Sequence, residues 1–160
     1  MFQPITLPYN YSDLEPYIDA ETMKVHYNNH YLGYLKKLNE EVSMGLDYDT
    51  IEELIEYATL ESKNIRDNAG GYYNHSLFFN MLKPPLAQHS KQIPKIVLDV
   101  INRDYGSFDD FKKKIEKKAQ SRFGSGWIWW ILLPNGTTQI VQTPYQDNPA
   151  MFLDCFTCAN

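Results

Sequence analysis

Two stretches of helical periodicity constrain the fold of this chain more than any other feature of its sequence. Asp19 is a plausible N-cap for a helix running from Ala20 to about Val42, in which apolar and aromatic side chains recur every three or four residues. A second stripe of the same kind runs from Lys63 to Leu82, and Pro84-Pro85 ends it. Such stripes bury each other when their helices pack, so the first half of the chain predicts a helical hairpin.

Two details refine this prediction. A short structural helix is expected between the long ones, because Asp49 and Glu52 form a capping-box pattern ahead of an apolar run. The second stripe contains Gly70 and Gly71, and each glycine inside a helix costs about 1 kcal/mol relative to alanine. We therefore expect close packing or a functional site at these glycines.

The second half of the chain has a different pattern. Pro94 opens one short helix, and Ser107 with Asp110 opens another. The run from Trp127 to Leu133 is too apolar for a surface strand. The turn signal Pro134-Asn135-Gly136 follows it, before a second strand from Thr137 to Gln142. These features predict a β-hairpin with at least one buried strand.

The fold class predicted is α+β, with an N-terminal helical hairpin domain over residues 1–85 packed against an incomplete C-terminal α/β domain over residues 86–160. The net charge of −5 argues against nucleic acid as the partner, because phosphate binding needs a basic surface. A group of lysines between positions 112 and 118 is interpreted as a solvated helix face. No leader-like or membrane-spanning apolar run is present, so we expect no membrane partner and a cytoplasmic location.

Histidines on both long helices point to a metal site. His26, His30 and Tyr34 are spaced by four residues, which places them on one helix face about 6 Å apart in rise. A lone histidine on such a face is usually a hydrogen-bonded core residue, but His75 lies on the apolar stripe of the other helix. Two facing imidazoles are a common start for a zinc, iron, copper or manganese site, which carboxylate or water must complete. His-Glu-x-x-His, Glu-x-x-His and EF-hand patterns are absent from the sequence.

The sequence blocks around these histidines resemble the iron/manganese superoxide dismutases. The blocks follow the order of the family over almost the whole chain, and their joint match is highly specific. They are Ala20 to Met23, His26 to His30 with Tyr34, Asn68 to Phe79, Phe123 to Trp127, and Gln146 to Pro149.

This resemblance implies an enzyme that converts superoxide to dioxygen and hydrogen peroxide at one Mn or Fe ion. It makes His26 and His75 metal ligands, and it makes His30 and Tyr34 residues that line the substrate funnel. Trp127 becomes part of an apolar wall, and Gln146 the outer-sphere glutamine. Manganese-type members tend to have glycine four residues before the second ligand and to supply the glutamine from a later loop, so Gly71 with Gln146 favours manganese.

The chain departs from the family at its third and fourth ligands, which the family carries as Asp-x-Trp-Glu-His. The sequence ends Asp154-Cys155-Phe156-Thr157-Cys158-Ala159-Asn160, without that motif. A chain that stops before the motif is the favoured interpretation, and Asp154 with Cys158 as substitute ligands is the alternative. Cys155 and Cys158 also form a lone C-x-x-C, which is weak support for zinc binding or redox chemistry.

Two functions remain open from the sequence. The first is a superoxide dismutase, and the second is a catalytically silent relative that keeps the fold as a structural or interaction module. Family members form homodimers or tetramers, and the missing motif normally contributes to that interface, so we expect this chain to be monomeric or prone to aggregate.

Overall fold

The computed structural model describes residues 1–85 and 93–152. The chain divides into two compact units, Met1–Ser90 and Lys91–Asn160. The fold is α+β, as predicted, with helices in both units and one antiparallel sheet in the second. None of the helices in the described ranges is long and apolar enough to cross a membrane.

The first long helix begins where the sequence predicts but is not uniform. Helix α1 (Ala20–Val25) is capped by Asp19, whose carboxylate accepts a hydrogen bond from the Thr22 amide at 2.8 Å. The segment His26–Tyr31 is then a π-helix, and α2 (Leu32–Ser43) continues in α-helical geometry. The expectation of an uninterrupted α-helix was wrong here, because a single widened turn leaves the apolar spacing almost unchanged. Such π turns are frequent at functional sites.

The next two helices follow the expected order. Helix α3 (Ile51–Tyr57) starts one residue later than the predicted capping box, because the Thr50 side chain accepts from the Glu53 amide and Glu53 in turn accepts from the Asp49 amide. Helix α4 (Lys63–Met81) runs through both glycines without a break. Together, α2 and α4 form the hairpin that the sequence predicts.

Tyrosine hydroxyls hold the first nine residues of the chain against this hairpin. Tyr31 Oη accepts from the Ile5 amide at 2.9 Å, Tyr72 Oη donates to the Gln3 carbonyl at 2.8 Å, and Tyr9 Oη donates to the Phe79 carbonyl at 2.7 Å. Tyr31 and Phe79 are completely buried. Each buried phenol therefore finds a polar partner, as burial of a hydroxyl requires.

The second unit contains α5 (Lys95–Tyr105), α6 (Phe108–Ser121), β1 (Gly126–Leu132) and β2 (Thr138–Pro144). Pro94 and Ser107 are the N-caps of the two helices, as predicted, and the Ser107 hydroxyl oxygen accepts from the Asp110 amide at 3.0 Å. The strands pair antiparallel with Trp130 opposite Ile140. Each strand lies within one or two residues of its predicted bounds.

The identity of the buried strand was predicted wrongly. No residue of β1 is fully buried, and Trp130 and Leu132 are 37% and 73% exposed, whereas Ile140, Val141 and Thr143 of β2 are buried. The core of this unit is a cluster of Ile101, Phe111 and Ile140, against which Ile128 packs. Apolar side chains occupy both faces of β1. Ile101 of α5 and Phe111 of α6 belong to the cluster that covers the face carrying Ile128.

Candidate metal centre

His26 and His75 lie next to each other in the first unit. Their ring centroids are 5.0 Å apart and the rings are nearly perpendicular, at 88°. His26 is half-buried at the start of the π-helical turn and also contacts the rings of Phe78 and Phe79. His75 is only 5% exposed in the middle of α4. Helix packing thus brings together the two imidazoles that the sequence singles out.

The His75 ring is oriented by its own helix. Its Nδ1 lies 2.6 Å from the Gly71 carbonyl oxygen, one turn earlier, so Nδ1 carries the proton and donates it. This tautomer leaves Nε2 with a lone pair, which is the arrangement that metal-binding histidines use. Every residue inside a helix has a carbonyl four positions before it. The sequence therefore does not indicate that this one orients the His75 ring.

Both imidazoles are held neutral. Burial lowers the pKa of His75 to about 4, with the nearby His26 and His30 rings adding to the effect. Burial also lowers the pKa of His26, and the proximity of His30 contributes. A metal ligand has to be deprotonated, so this environment prepares the pair for a cation at neutral pH.

Gly71 has no space for a side chain. A Cβ atom built on it would lie 2.4 to 2.7 Å from carbon atoms of the Tyr34 ring, far inside van der Waals contact. The Tyr34 ring is in turn 5.4 Å from the His75 ring, centroid to centroid. The prediction that a glycine in this helix serves close packing is confirmed at Gly71, and what it admits is the Tyr34 ring.

His30 lies at the open side of this group. It is exposed, and its ring centroid is 5.9 Å from that of His26. A surface cavity of about 400 Å³ is lined by His26 and His30 with Glu21, Thr22 and Val25. Small molecules in solvent can therefore reach the ring of His26 from this side.

Trp127 and Gln146 lie together in the second unit. Trp127 lies on β1, and its Nε1 donates to Gln146 Oε1 at 3.2 Å; Gln146 is the second residue after the end of β2. The turn places Tyr145 at a φ of 49°, an unusual conformation for a residue with a side chain, and the Tyr145 amide donates to the Ser125 carbonyl at 3.0 Å. The neighbours Asp147 and Asn148 are buried, and they belong to the matching block Gln146 to Pro149, but the sequence predicted no role for them.

The donors in the described residues meet part of what Mn or Fe requires. Two neutral imidazoles suit either ion, but a hard cation also needs anionic oxygen. Over residues 1–85 and 93–152, no group of three or more His, Cys, Asp or Glu side chains is arranged to hold a metal ion. Asp154, Cys155 and Cys158 lie outside the described residues, and so does His89. The described part of the chain therefore fits the imidazole half of such a site.

Comparison with protein families covers both units. Residues 1–83 match the iron/manganese superoxide dismutases, alpha-hairpin domain, and residues 94–157 match the iron/manganese superoxide dismutases, C-terminal domain. The two matches together span most of the chain in the order of the two units, and the family uses Mn or Fe. The chain belongs to the iron/manganese superoxide dismutase family.

Proposed function

We propose that this chain is a superoxide dismutase that uses one Mn or Fe ion, with His26 and His75 as two of its ligands. The observation that carries the proposal is the pair of adjacent neutral imidazoles, one of them oriented by the Gly71 carbonyl. The bound ion supplies one-electron chemistry between the +3 and +2 states, by which two superoxide ions and two protons become dioxygen and hydrogen peroxide.

The remaining residues control access and proton supply in this proposal. His30 stands at the cavity beside His26, where an incoming anion first meets the protein. The Tyr34 ring, whose centroid is 5.4 Å from that of His75, lines the path of the substrate to the ion. Gln146 is the outer-sphere hydrogen-bonding residue, oriented by the Trp127 indole. Asp154 is the candidate carboxylate ligand within the sequence, and it lies outside the described residues.

Manganese is the ion we favour. In the iron-type pattern a glutamine occupies the position of Gly71, and no side chain fits there while the Tyr34 ring keeps its place. The glutamine available to this chain is instead Gln146, on the turn after β2. Hydrogen bonds from outside the ligand set tune both the potential of the ion and proton transfer, so its position matters for metal choice.

Metal analysis and superoxide consumption by the purified chain test the proposal. His26→Gln and His75→Gln are expected to lose bound Mn or Fe and all activity, because Gln lacks the imidazole donor. His30→Gln is expected to keep the metal and lose part of the activity. His89→Gln serves as the control and is expected to keep both. Equal metal content in all four variants contradicts the assignment of the ligands.

A silent relative of the family is the second candidate. The observation that favours it is the small number of metal-binding side chains. In the described residues, the two imidazoles of His26 and His75 are not joined by a third ligand. The same experiment separates the two functions. A folded chain that takes up neither Mn nor Fe at stoichiometric level, and leaves superoxide unconsumed, is the silent module.

A further inference from the structure

The lysines of α6 fall into two groups. Lys112 Nζ lies 2.8 Å from an Asp109 carboxylate oxygen and Lys113 Nζ lies 3.8 Å from Asp110, so both are ion-paired at the start of the helix. The other group, Lys114, Lys117 and Lys118, lines a cavity of about 500 Å³ and has no ion pair among the described residues. The uniform solvated face expected from the sequence is therefore divided in two.

The wall opposite these lysines is built from α5 and β2. Tyr105 presents its ring, with the Lys114 ammonium 5.0 Å from the ring centroid. Asp104 also borders the cavity, but its carboxylate accepts from the Thr138 amide at 2.8 Å and from the Arg103 guanidinium at 2.6 Å. Arg103 compensates the charge of Asp104, so the three lysines set the charge of this cavity.

The geometry points to a binding site for a small polyanion that carries two or more phosphate groups. The volume lies in the usual range for small-molecule pockets, roughly 300–1,000 Å³. The C-terminus of α6 adds only about half a negative charge, which three ammonium groups exceed. The site is additional to the candidate metal centre, since all the residues that line it belong to the second unit.

A nucleic acid is a poorer fit to the same residues. Phosphate chains need an extended basic footprint, whereas this chain has a net charge of −5 and concentrates three lysines in one cavity. Compact di- and triphosphates place two or more charges within the reach of neighbouring ammonium groups. They gain several charge-assisted hydrogen bonds at once.

Calorimetric titration of the whole chain with inorganic pyrophosphate and tripolyphosphate, at low and at physiological salt, tests the site. The double variant Lys117→Gln with Lys118→Gln is compared with the double variant Lys112→Gln with Lys113→Gln, which removes the same charge from the same helix. We expect the first pair to weaken binding about tenfold or more, and the second pair less than about twofold.

The comparison also controls for two artefacts. Any chelation of a bound metal by pyrophosphate is the same in both double variants, so it cancels. All four lysines are exposed, and circular dichroism checks that the helix persists. Absence of binding to the unmodified chain at millimolar concentration overturns the proposal, and so does an equal loss in the two double variants.

Discussion

The two units hold their candidate functional residues by different means. In the first unit, His75 lies inside a helix pair whose central side chains, Tyr31 and Phe79, are completely buried. In the second unit, Trp127 is half-buried and Gln146 follows a strained turn at Tyr145. Burial gives the first group its neutral charge state, whereas turn geometry and hydrogen bonds position the second.

This difference predicts how each region responds to change. The first region should be sensitive to added charge, because a buried imidazole is costly to protonate. It should also be sensitive to added volume, because the contact at Gly71 is already close. The second should be sensitive to loss of individual hydrogen bonds. Four experiments test the contrast, from the largest expected effect to the smallest.

Acid should destabilise the metal-free chain through His75. Its pKa is lowered by burial to about 4, below the ordinary value near 6.5, so the unfolded chain takes up a proton at a higher pH than the folded chain. The free energy of unfolding should therefore fall as the pH goes from about 6.5 to about 4, by roughly 3 kcal/mol, and flatten below that range. Urea denaturation at a series of pH values measures this, and His75→Gln should show a shallower slope. Identical slopes argue against a buried neutral His75.

Adding a side chain at Gly71 should also destabilise the first unit. Gly71→Ala puts a Cβ into the Tyr34 ring, and we expect a loss of about 2 kcal/mol, because over-packing of a tight core costs about 1–3 kcal/mol. Gly33→Ala is the matched control, since its Cβ meets nothing within 4 Å and alanine favours the helix by about 0.5–1 kcal/mol. Opposite signs for the two variants in urea denaturation support the close contact, and equal signs contradict it.

The turn that carries Gln146 should depend on Thr143. The Thr143 hydroxyl donates to the Asp147 carbonyl at 2.7 Å and accepts from Trp129 Nε1 at 2.8 Å, and the residue is 4% exposed. Thr143→Val should lower the free energy of unfolding by about 1–2 kcal/mol, because it leaves buried partners unsatisfied. Thr137→Val, at an exposed turn position, should change it by less than about 0.5 kcal/mol.

The smallest effect concerns a helix cap in the second unit. Ser107→Ala removes the hydroxyl oxygen that accepts from the Asp110 amide, which should cost about 1 kcal/mol. Ser121→Ala, at the exposed end of the same helix, should be nearly neutral. If the two variants have the same thermal midpoint, local capping contributes little here and the contrast between the units has to be revised.

Periodicity and capping patterns predicted most of the elements. The Asp19, Pro94 and Ser107 caps, the helix through Gly70 and Gly71, and both strands lie close to where the sequence placed them. These signals are local, because each depends on residues three or four positions apart. The π-helical turn at His26–Tyr31 was missed, since one additional residue in a turn scarcely alters the apolar spacing.

Burial was harder to predict than secondary structure. The apolar composition of β1 predicted a buried strand, but no residue of β1 is fully buried. Burial depends on which other elements cover each face of a strand, and the residues of the strand do not indicate this. The candidate ligands show the same limit. Spacing and family resemblance predicted His26 and His75, but neither indicated the carbonyl that orients His75 or the tyrosine ring that excludes a side chain at Gly71.

The sequence by itself determined the family, the order of the helices and strands, and the pair of histidines, because these follow from residue types at short and regular separations. Only the tertiary structure decided that the imidazoles are neutral, that Tyr34 occupies the space above Gly71, and that three of the five lysines on α6 share a cavity. Each of these depends on atoms far apart in the chain, and desolvation, van der Waals contact and charge proximity act only once packing has brought those atoms together.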